Sequence, residues 1–400
     1  MSMFYQEKIE NLPPPNQSEL AQHEILLQHI QHVIEKSGGK ITFARYMEMA
    51  LYEAGLGYYV AGQRIFGKDG DFVTAPELTP LFSHCVAKQC AQVMGELERP
   101  VILEFGAGSG IMALEILRYL DSINGLPDEY LIMEISPALR QRQHQLIADN
   151  LPHLQNRVRW LSTLPDERFS GLILANEILD AMPVNRVRVY ADGSEQEIYI
   201  GMEAGVLKPI PGGLSDQRLK TVADRVRKCL GEQMPEYFDV EANLLAEDWL
   251  TSLNKVLDRG LVLIIDYGYP RHEFFQPIRY QGTLMCHYKH HAHADPLFYP
   301  GLQDLTSSVE FTEIAEFSVA AGFDVDGFIT QALFLIGCGI DELIQTLDPT
   351  DTKTFLATTQ PVKQLLMPDQ MGELFKVLAL SKDLDLELIG YQAGDQLGRL

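Results

Sequence analysis

The chain has 400 residues and carries 32 Lys and Arg against 55 Asp and Glu, a formal net charge of −23. A protein that grips nucleic acid phosphates shows a basic face, so this balance argues against that class. At 46% hydrophobic and 22% charged residues the composition is that of a globular protein with enough apolar mass for a full core, and no apolar run reaches the ~18–20 residues that cross a bilayer.

Residues 1–20 are polar, include Pro13-Pro14-Pro15 and read as an extended lead-in. They lack the basic start and apolar stretch of a signal peptide, and no arginine precedes Arg45, which argues against a transit peptide. The five scattered cysteines, with no C-x-x-C, predict reduced thiols in a cytosol. Ile25, Leu26, Ile30, Val33 and Ile34 recur at helical spacing, and Ser37-Gly38-Gly39 ends that helix. Thr42 is placed to cap a second helix with Phe43, Tyr46, Met47, Ala50 and Leu51 on one face, broken at Gly55-Leu56-Gly57. Residues 67–77 form an irregular loop of glycine, charge and aromatic residues, the composition of loops held over a pocket. Residues 81–94 are helical again.

Next comes Val101-Ile102-Leu103-Glu104-Phe105-Gly106-Ala107-Gly108-Ser109-Gly110, an apolar strand that ends in an acid and three alternating glycines. Ile111, Leu114, Ile116, Leu117 and Leu120 continue it as a helix. This strand–loop–helix opens a nucleotide-binding α/β domain. Glycines let the loop turn tightly and let a ligand lie on bare backbone, at a helix end with free N–H groups. A dinucleotide fingerprint would place its third glycine at 111, which is Ile111. The E-x-G-x-G-x-G spacing instead resembles the first motif of Rossmann-like S-adenosylmethionine (SAM) methyltransferases.

A second apolar strand over 130–135 carries Glu134 at its end, where a carboxylate suits the two hydroxyls of a ribose. A helix over 137–147, a short strand over 158–161 and a fourth strand over 171–177 follow. The fifth, 260–268, is almost wholly apolar and ends in Asp266. Such strands alternating with helices predict a parallel sheet covered on both faces, with its ligand beyond the C-terminal strand ends.

The ~80 residues between strands four and five exceed a simple crossover. They contain a hairpin with an Asp192-Gly193 turn, a further strand over 206–210 and helical patterns over 215–230 and 242–258. This reads as an inserted subdomain walling the substrate site. Residues 271–304 have little periodicity; His287 and His291 have the i,i+4 spacing of helical zinc ligands, but no H-E-x-x-H accompanies them. The segment therefore reads as a lid, with no metal. A helix over 311–321, a last strand or hairpin over 323–339, helices to about Leu366 and a closing strand over 375–380 complete the chain, with 390–395 frayed.

The expected fold is α/β: a Rossmann-like class I SAM methyltransferase sheet with an N-terminal helical extension and an inserted α+β subdomain. The expected divisions are an extension over 1–95, the first part of the core over 96–183 and the insertion over 184–259. The second part of the core with its lid covers 260–340, and C-terminal helices with the closing strand cover 341–400.

The ordered blocks FARYMEMALYEAGLGYY, GDFVTAPEL, EFGAGSG, YLIMEISPALRQRQ, ANEILDAMPVNR, LIIDYG, GTLMCHY, DPLFYPGLQDLTSSVEF and FKVLAL resemble the MidA family of SAM-dependent methyltransferases of bacteria and mitochondria. Its mitochondrial member is a respiratory complex I assembly factor that dimethylates an arginine of a complex I subunit. The resemblance implies a bacterial cytoplasmic protein arginine methyltransferase with SAM as cofactor and a protein substrate, a complex I subunit being the candidate acceptor. A SAM-fold assembly chaperone without methyl transfer and a small-molecule methyltransferase are the alternatives.

Methyl transfer from a sulfonium is an in-line displacement that the enzyme assists mainly by alignment. An arginine acceptor stays protonated in water, so carboxylates are needed to pair with its N–H fork and take a proton. Glu177 is the first candidate, with Asn176, Asp180 and Asp266 behind it; Asp180 also suits a turn cap and Asp266 a loop anchor. For the cofactor, Glu104, Gly106, Gly108 and Gly110 are assigned to the methionine end and Glu134 to the ribose. Ser162, Thr163 and Leu164 are assigned to the adenine, and Thr74, Pro76 and Glu77 belong to a segment folding over SAM.

Overall fold

The computed structural model describes residues 9–61 and 74–400; residues 67–73 of the expected pocket loop lie outside them. The main sheet takes seven strands in chain order: β1 (Val101–Phe105), β2 (Glu129–Met133), β3 (Val158–Leu161), β4 (Phe169–Asn176), β5 (Leu257–Tyr269), β6 (Asp324–Thr330) and β7 (Phe375–Lys382). Their spatial order is β3-β2-β1-β4-β5-β7-β6, and a short strand, Val309–Glu310, adds beside the end of β5. Strands β1 to β5 are parallel, while β7 runs antiparallel to β5 and β6. The chain thus has the α/β sheet its apolar runs predict.

Side chains alternate across the sheet, so each strand feeds two cores. Ile102, Leu172, Leu174, Leu261 and Leu263 pack on one face with the helices Pro80–Met94 and Ile111–Ser122. Leu103, Ile173, Ala175, Val262 and Ile264 pack on the other with Ala246–Val256 and Phe311–Ala321. With both faces covered, the central strands read as continuous apolar runs.

A second, antiparallel sheet joins parts of the chain that the sequence reading keeps apart. Lys40–Thr42, from the N-terminal segment, pairs with Glu195–Glu203, which pairs with Asn185–Tyr190 and then Tyr237–Ala242. Leu26, Ile30, Phe43, Tyr46, Ile200 and Leu207 share one core, so the N-terminal helices and the insertion form one wall. The strand Tyr237–Ala242 has no counterpart among the expected elements. Its Asp239 and Glu241 give it the look of a solvated segment, yet both are buried against Arg186 and Arg188. Conversely, Ala246–Val256, expected in the insertion, packs on the main sheet.

Other expectations need correction. Residues 271–304, read as a lid of little periodicity, contain a β-hairpin in which Met285–Tyr288 pairs with His291–His293, Tyr288 opposite His291. The C-terminal residues are anchored, not frayed: Phe328 N–H donates to Asp395 Oδ1 at 2.9 Å, and Gln396 N–H to the Phe328 carbonyl at 2.7 Å. The buried Tyr391 ring stacks edge-on to Phe334. Among the described residues no helix is long and apolar enough to cross a membrane.

Candidate active site

A cavity of 430 Å³ opens beyond the C-terminal ends of β2, β1 and β4. Its floor is the loop after β1, where Gly106, Gly108 and Gly110 have φ of 58°, 53° and 86°. Those angles are strained for residues with a Cβ. At Gly106 a Cβ would also sit 2.6 Å from Ile178 Cδ1. Gly110 is the left-handed N-cap of Ile111–Ser122 and does not line the cavity. The Ser109 hydroxyl donates to Glu77, which closes the loop from the side of Ala75–Leu78.

At the end of β2, Glu134 accepts from Ser136 N–H at 2.9 Å and from Gln143 Nε2 at 3.0 Å. Burial pushes this carboxyl up, and those two bonds counter part of the shift. Gln143, fully buried, also donates to the Gly108 carbonyl at 2.9 Å and accepts from Trp160 Nε1 at 2.9 Å. One amide therefore ties the glycine loop, Glu134 and β3 together. The sequence reading misses Gln143 because it sits in the polar run Arg140-Gln141-Arg142-Gln143. Its four-residue spacing from the buried Leu139 and Ile147 is the signal that could have found it. Glu104, in β1, is buried and accepts from the Tyr130 hydroxyl at 2.7 Å; burial raises it to about 7.

The loop after β4 is wound around Asp266. One oxygen of Asp266 accepts from Ile178, Leu179 and Asp180 N–H at 3.2, 2.9 and 3.3 Å, and the other from Tyr267 N–H at 2.9 Å. Asp266 is completely buried below the cavity and anchors the loop. Glu177 turns the chain with φ 54°, its N–H bonded to the Ile265 carbonyl at 2.8 Å, and lines the cavity. Non-glycine residues held at positive φ concentrate at functional positions. Asn176 Nδ2 donates to Glu177 Oε1 at 3.2 Å, while burial and then the charge of Asp266 raise Glu177 to about 8. Asp180, 4% exposed, is pushed well above the usual Asp range by burial, Asp266 and Glu177. Asn176 Oδ1 and Asp180 Oδ1 are buried and accept no hydrogen bond.

The structure gathers Thr74, Pro76, Glu77, Glu104, Gly106, Gly108, Glu134, Asn176, Glu177 and Asp180 around this one cavity. It does not bring Ser162, Thr163 or Leu164 there. Ser162 and Thr163 are exposed beyond β3, the edge strand, and Leu164 packs on the sheet. The wall instead includes Ile135, Leu139, Tyr52, Tyr59, Trp249 and Asp304. Tyr52, Tyr59 and Asp304 reach it only through the packing of the N-terminal wall and the lid, which no local pattern announces. Among the described residues no Lys, Arg or His lines the cavity.

A family model described as "Putative S-adenosyl-L-methionine-dependent methyltransferase" matches residues 85–329, more than half of the chain. This chain belongs to that family. A crystal structure of a Burkholderia thailandensis protein bound to S-adenosyl-homocysteine (SAH) superposes with a TM-score of 0.91 at 40% identity, covering 98% of this chain and 100% of that one. Among curated relatives, the Danio rerio mitochondrial protein arginine methyltransferase NDUFAF7 is 26% identical, over 89% of this chain and 86% of its own. The Drosophila melanogaster homolog is 28% identical, over 86% and 82%.

The protein is a SAM-dependent methyltransferase, and its cavity fits that cofactor. Gly106 and Gly108 line the cavity at backbone angles that favour glycine, and the Glu134 carboxyl, an acceptor of the kind a ribose diol needs, borders it.

Proposed function

We propose that this methyltransferase modifies an arginine side chain of a protein. The observation that carries this reading is the acidic end of the cavity. Glu177 and Asp180 line it, two buried acceptor atoms are unsatisfied, and no basic side chain among the described residues neutralises them. A guanidinium offers five N–H donors and no acceptor, and so complements such a surface. The names of the curated relatives point to the same acceptor.

When bound, SAM supplies an electrophilic sulfonium methyl. The glycine loop and Glu134 hold the cofactor, with Thr74, Pro76 and Glu77 as one side of its enclosure. Glu177 pairs with the acceptor N–H groups and takes the proton that nitrogen attack releases. A carboxyl raised to about 8 is matched to that task at neutral pH. Asn176 fixes the Glu177 carboxylate, and Asp266 holds the turn on which both are displayed.

The test is transfer from methyl-labelled SAM into lysate of a strain lacking this protein, followed by acid hydrolysis. Label in methylated arginine from a discrete protein band supports the reading, and the resemblance above makes a complex I subunit the first band to check. Label confined to small molecules or to other amino acids would overturn it.

A further inference from the structure

The loop after β4 carries two aspartates in very different states. Asp266 takes four backbone N–H bonds, the environment of an ionised carboxylate. Asp180 contributes its backbone to the same loop: its N–H goes to Asp266 and its carbonyl accepts from Ser307 N–H at 3.0 Å. Its side-chain Oδ1, however, is buried and accepts nothing. Every titratable group that faces it among the described residues is acidic or phenolic. Asp266 and Tyr267 face it from β5, Glu177 from its own loop, Asp304 from the strand Asp304–Thr306, and Tyr52 and Tyr59 from the N-terminal wall. Two adjacent buried carboxyls with no cation beside them among the described residues are not both charged, and the one with four N–H bonds keeps the charge.

Two tyrosines complete this end of the cavity. The rings of Tyr52 and Tyr59 stack at 5.5 Å and 24°. Tyr52 donates to the Ala181 carbonyl at 2.9 Å, and Tyr59 to Asp304 Oδ1 at 2.8 Å. Their hydroxyls are committed, so what they offer a ligand is ring surface, which favours a cation.

We propose that Asp180, beside Tyr52 and Tyr59, is a proton-exchanging cation site for the acceptor: it holds a proton in the free enzyme and gives it up when a guanidinium docks. The proposal rests on the arginine reading above and adds to it the residue and the linked proton. In the exchange the Asp180 O–H bond breaks, the proton passes to solvent, and the new carboxylate accepts N–H bonds from the guanidinium. Asn176 Oδ1, the other unsatisfied acceptor, lies on the same wall to take a further donor. The device keeps the empty site free of unbalanced charge and rejects neutral ligands, which cannot offset the proton's departure.

The experiment uses the full-length protein saturated with SAH and titrates ethylguanidinium, propylammonium or neutral N-ethylurea by calorimetry at pH 7. Two buffers of different ionisation enthalpy give the proton count. Ethylguanidinium is expected to bind at least about tenfold tighter than N-ethylurea and to release at least about one proton. Its affinity should rise about tenfold from pH 6 to pH 7. Asp180→Asn should keep SAH affinity within about threefold, bind ethylguanidinium at least about tenfold more weakly and release about one proton fewer. Should Asp180→Asn not fold, Glu177→Gln decides: it should still release about one proton on binding ethylguanidinium, and loss of all proton release in it would overturn the assignment to Asp180. Equal binding of N-ethylurea, no proton release, or an unchanged count in Asp180→Asn would overturn the proposal while leaving cofactor binding and the label-transfer result intact. Proton-coupled binding of propylammonium but not ethylguanidinium would overturn the guanidinium assignment, and label appearing outside arginine would separately remove the arginine reading.

Discussion

The two ends of the cavity are built on opposite principles. Around β1 and β2 the polar atoms are satisfied before a ligand arrives: Glu134 has Ser136 and Gln143, Glu104 has Tyr130, and the Gly108 carbonyl has Gln143. Beyond β4, Asn176 Oδ1 and Asp180 Oδ1 are buried without a partner, and Glu177 sits at a positive φ. A preorganised end suits a cofactor that every cycle brings back unchanged in shape. An unsatisfied end stores a demand for donors that a cationic acceptor meets.

The largest expected effect breaks the preorganised end. Gly106→Val puts a β-branched side chain at φ 58° and against Ile178. SAH affinity should fall by roughly 100-fold or more, while a cooperative thermal melt is retained; calorimetry reads the first and a melting scan the second. At the other end, Glu177→Gln should keep SAH affinity within about threefold and lower the methyl-transfer rate by about 10²–10⁴-fold. An unaltered rate would reject its role as proton acceptor.

Gln143→Glu sharpens the comparison, because it replaces the amide that joins the two cofactor-binding elements. A carboxylate facing the Gly108 carbonyl and Glu134 should weaken SAH binding by roughly 10-fold at pH 8. Part of the affinity should return at pH 6, where the introduced carboxyl is protonated and can donate. Wild type should show no such recovery.

Glu104 tests the cost of the buried acid at the floor. Its folded pKa, raised to about 7 by burial, lies above the unfolded value near 4.5. The folded state therefore binds the proton more tightly. The stability this gives is present below about pH 4.5 and is lost as pH rises to about 7, a loss on the order of 3 kcal/mol. Glu104→Gln should gain in melting temperature relative to wild type from pH 5 to pH 8; a constant difference across that range would contradict the shift. The smallest effect belongs to Ser162→Ala and Thr163→Ala, exposed and outside the cavity. SAH affinity should stay within about twofold, and a larger loss would return the adenine to β3.

What is legible in the sequence follows the same division. Strands β1, β2, β4 and β5 declare themselves because buried parallel strands need apolar side chains on both faces. The glycine loop and Glu134 follow from their place at strand ends. Tyr237–Ala242 hides because its acids are matched far away in the chain: Asp239 pairs with Arg188, 51 residues earlier, and Glu241 with Arg186. The acceptor end is legible only in Glu177, Asn176 and Asp180. Tyr52, Tyr59 and Asp304 meet there through contacts between segments up to 245 residues apart. Ser162 to Leu164 fall outside the cavity lining because their position after a strand says nothing of how far out the edge strand β3 lies.

The most direct test of this division is SAH titration into Gly106→Val and Asp180→Asn side by side, each checked for a wild-type-like melt. Gly106→Val should bind no measurable SAH, and Asp180→Asn should bind it within about threefold of wild type. Equal losses in both would contradict the division, since the carboxylates beyond β4 would then belong to the cofactor.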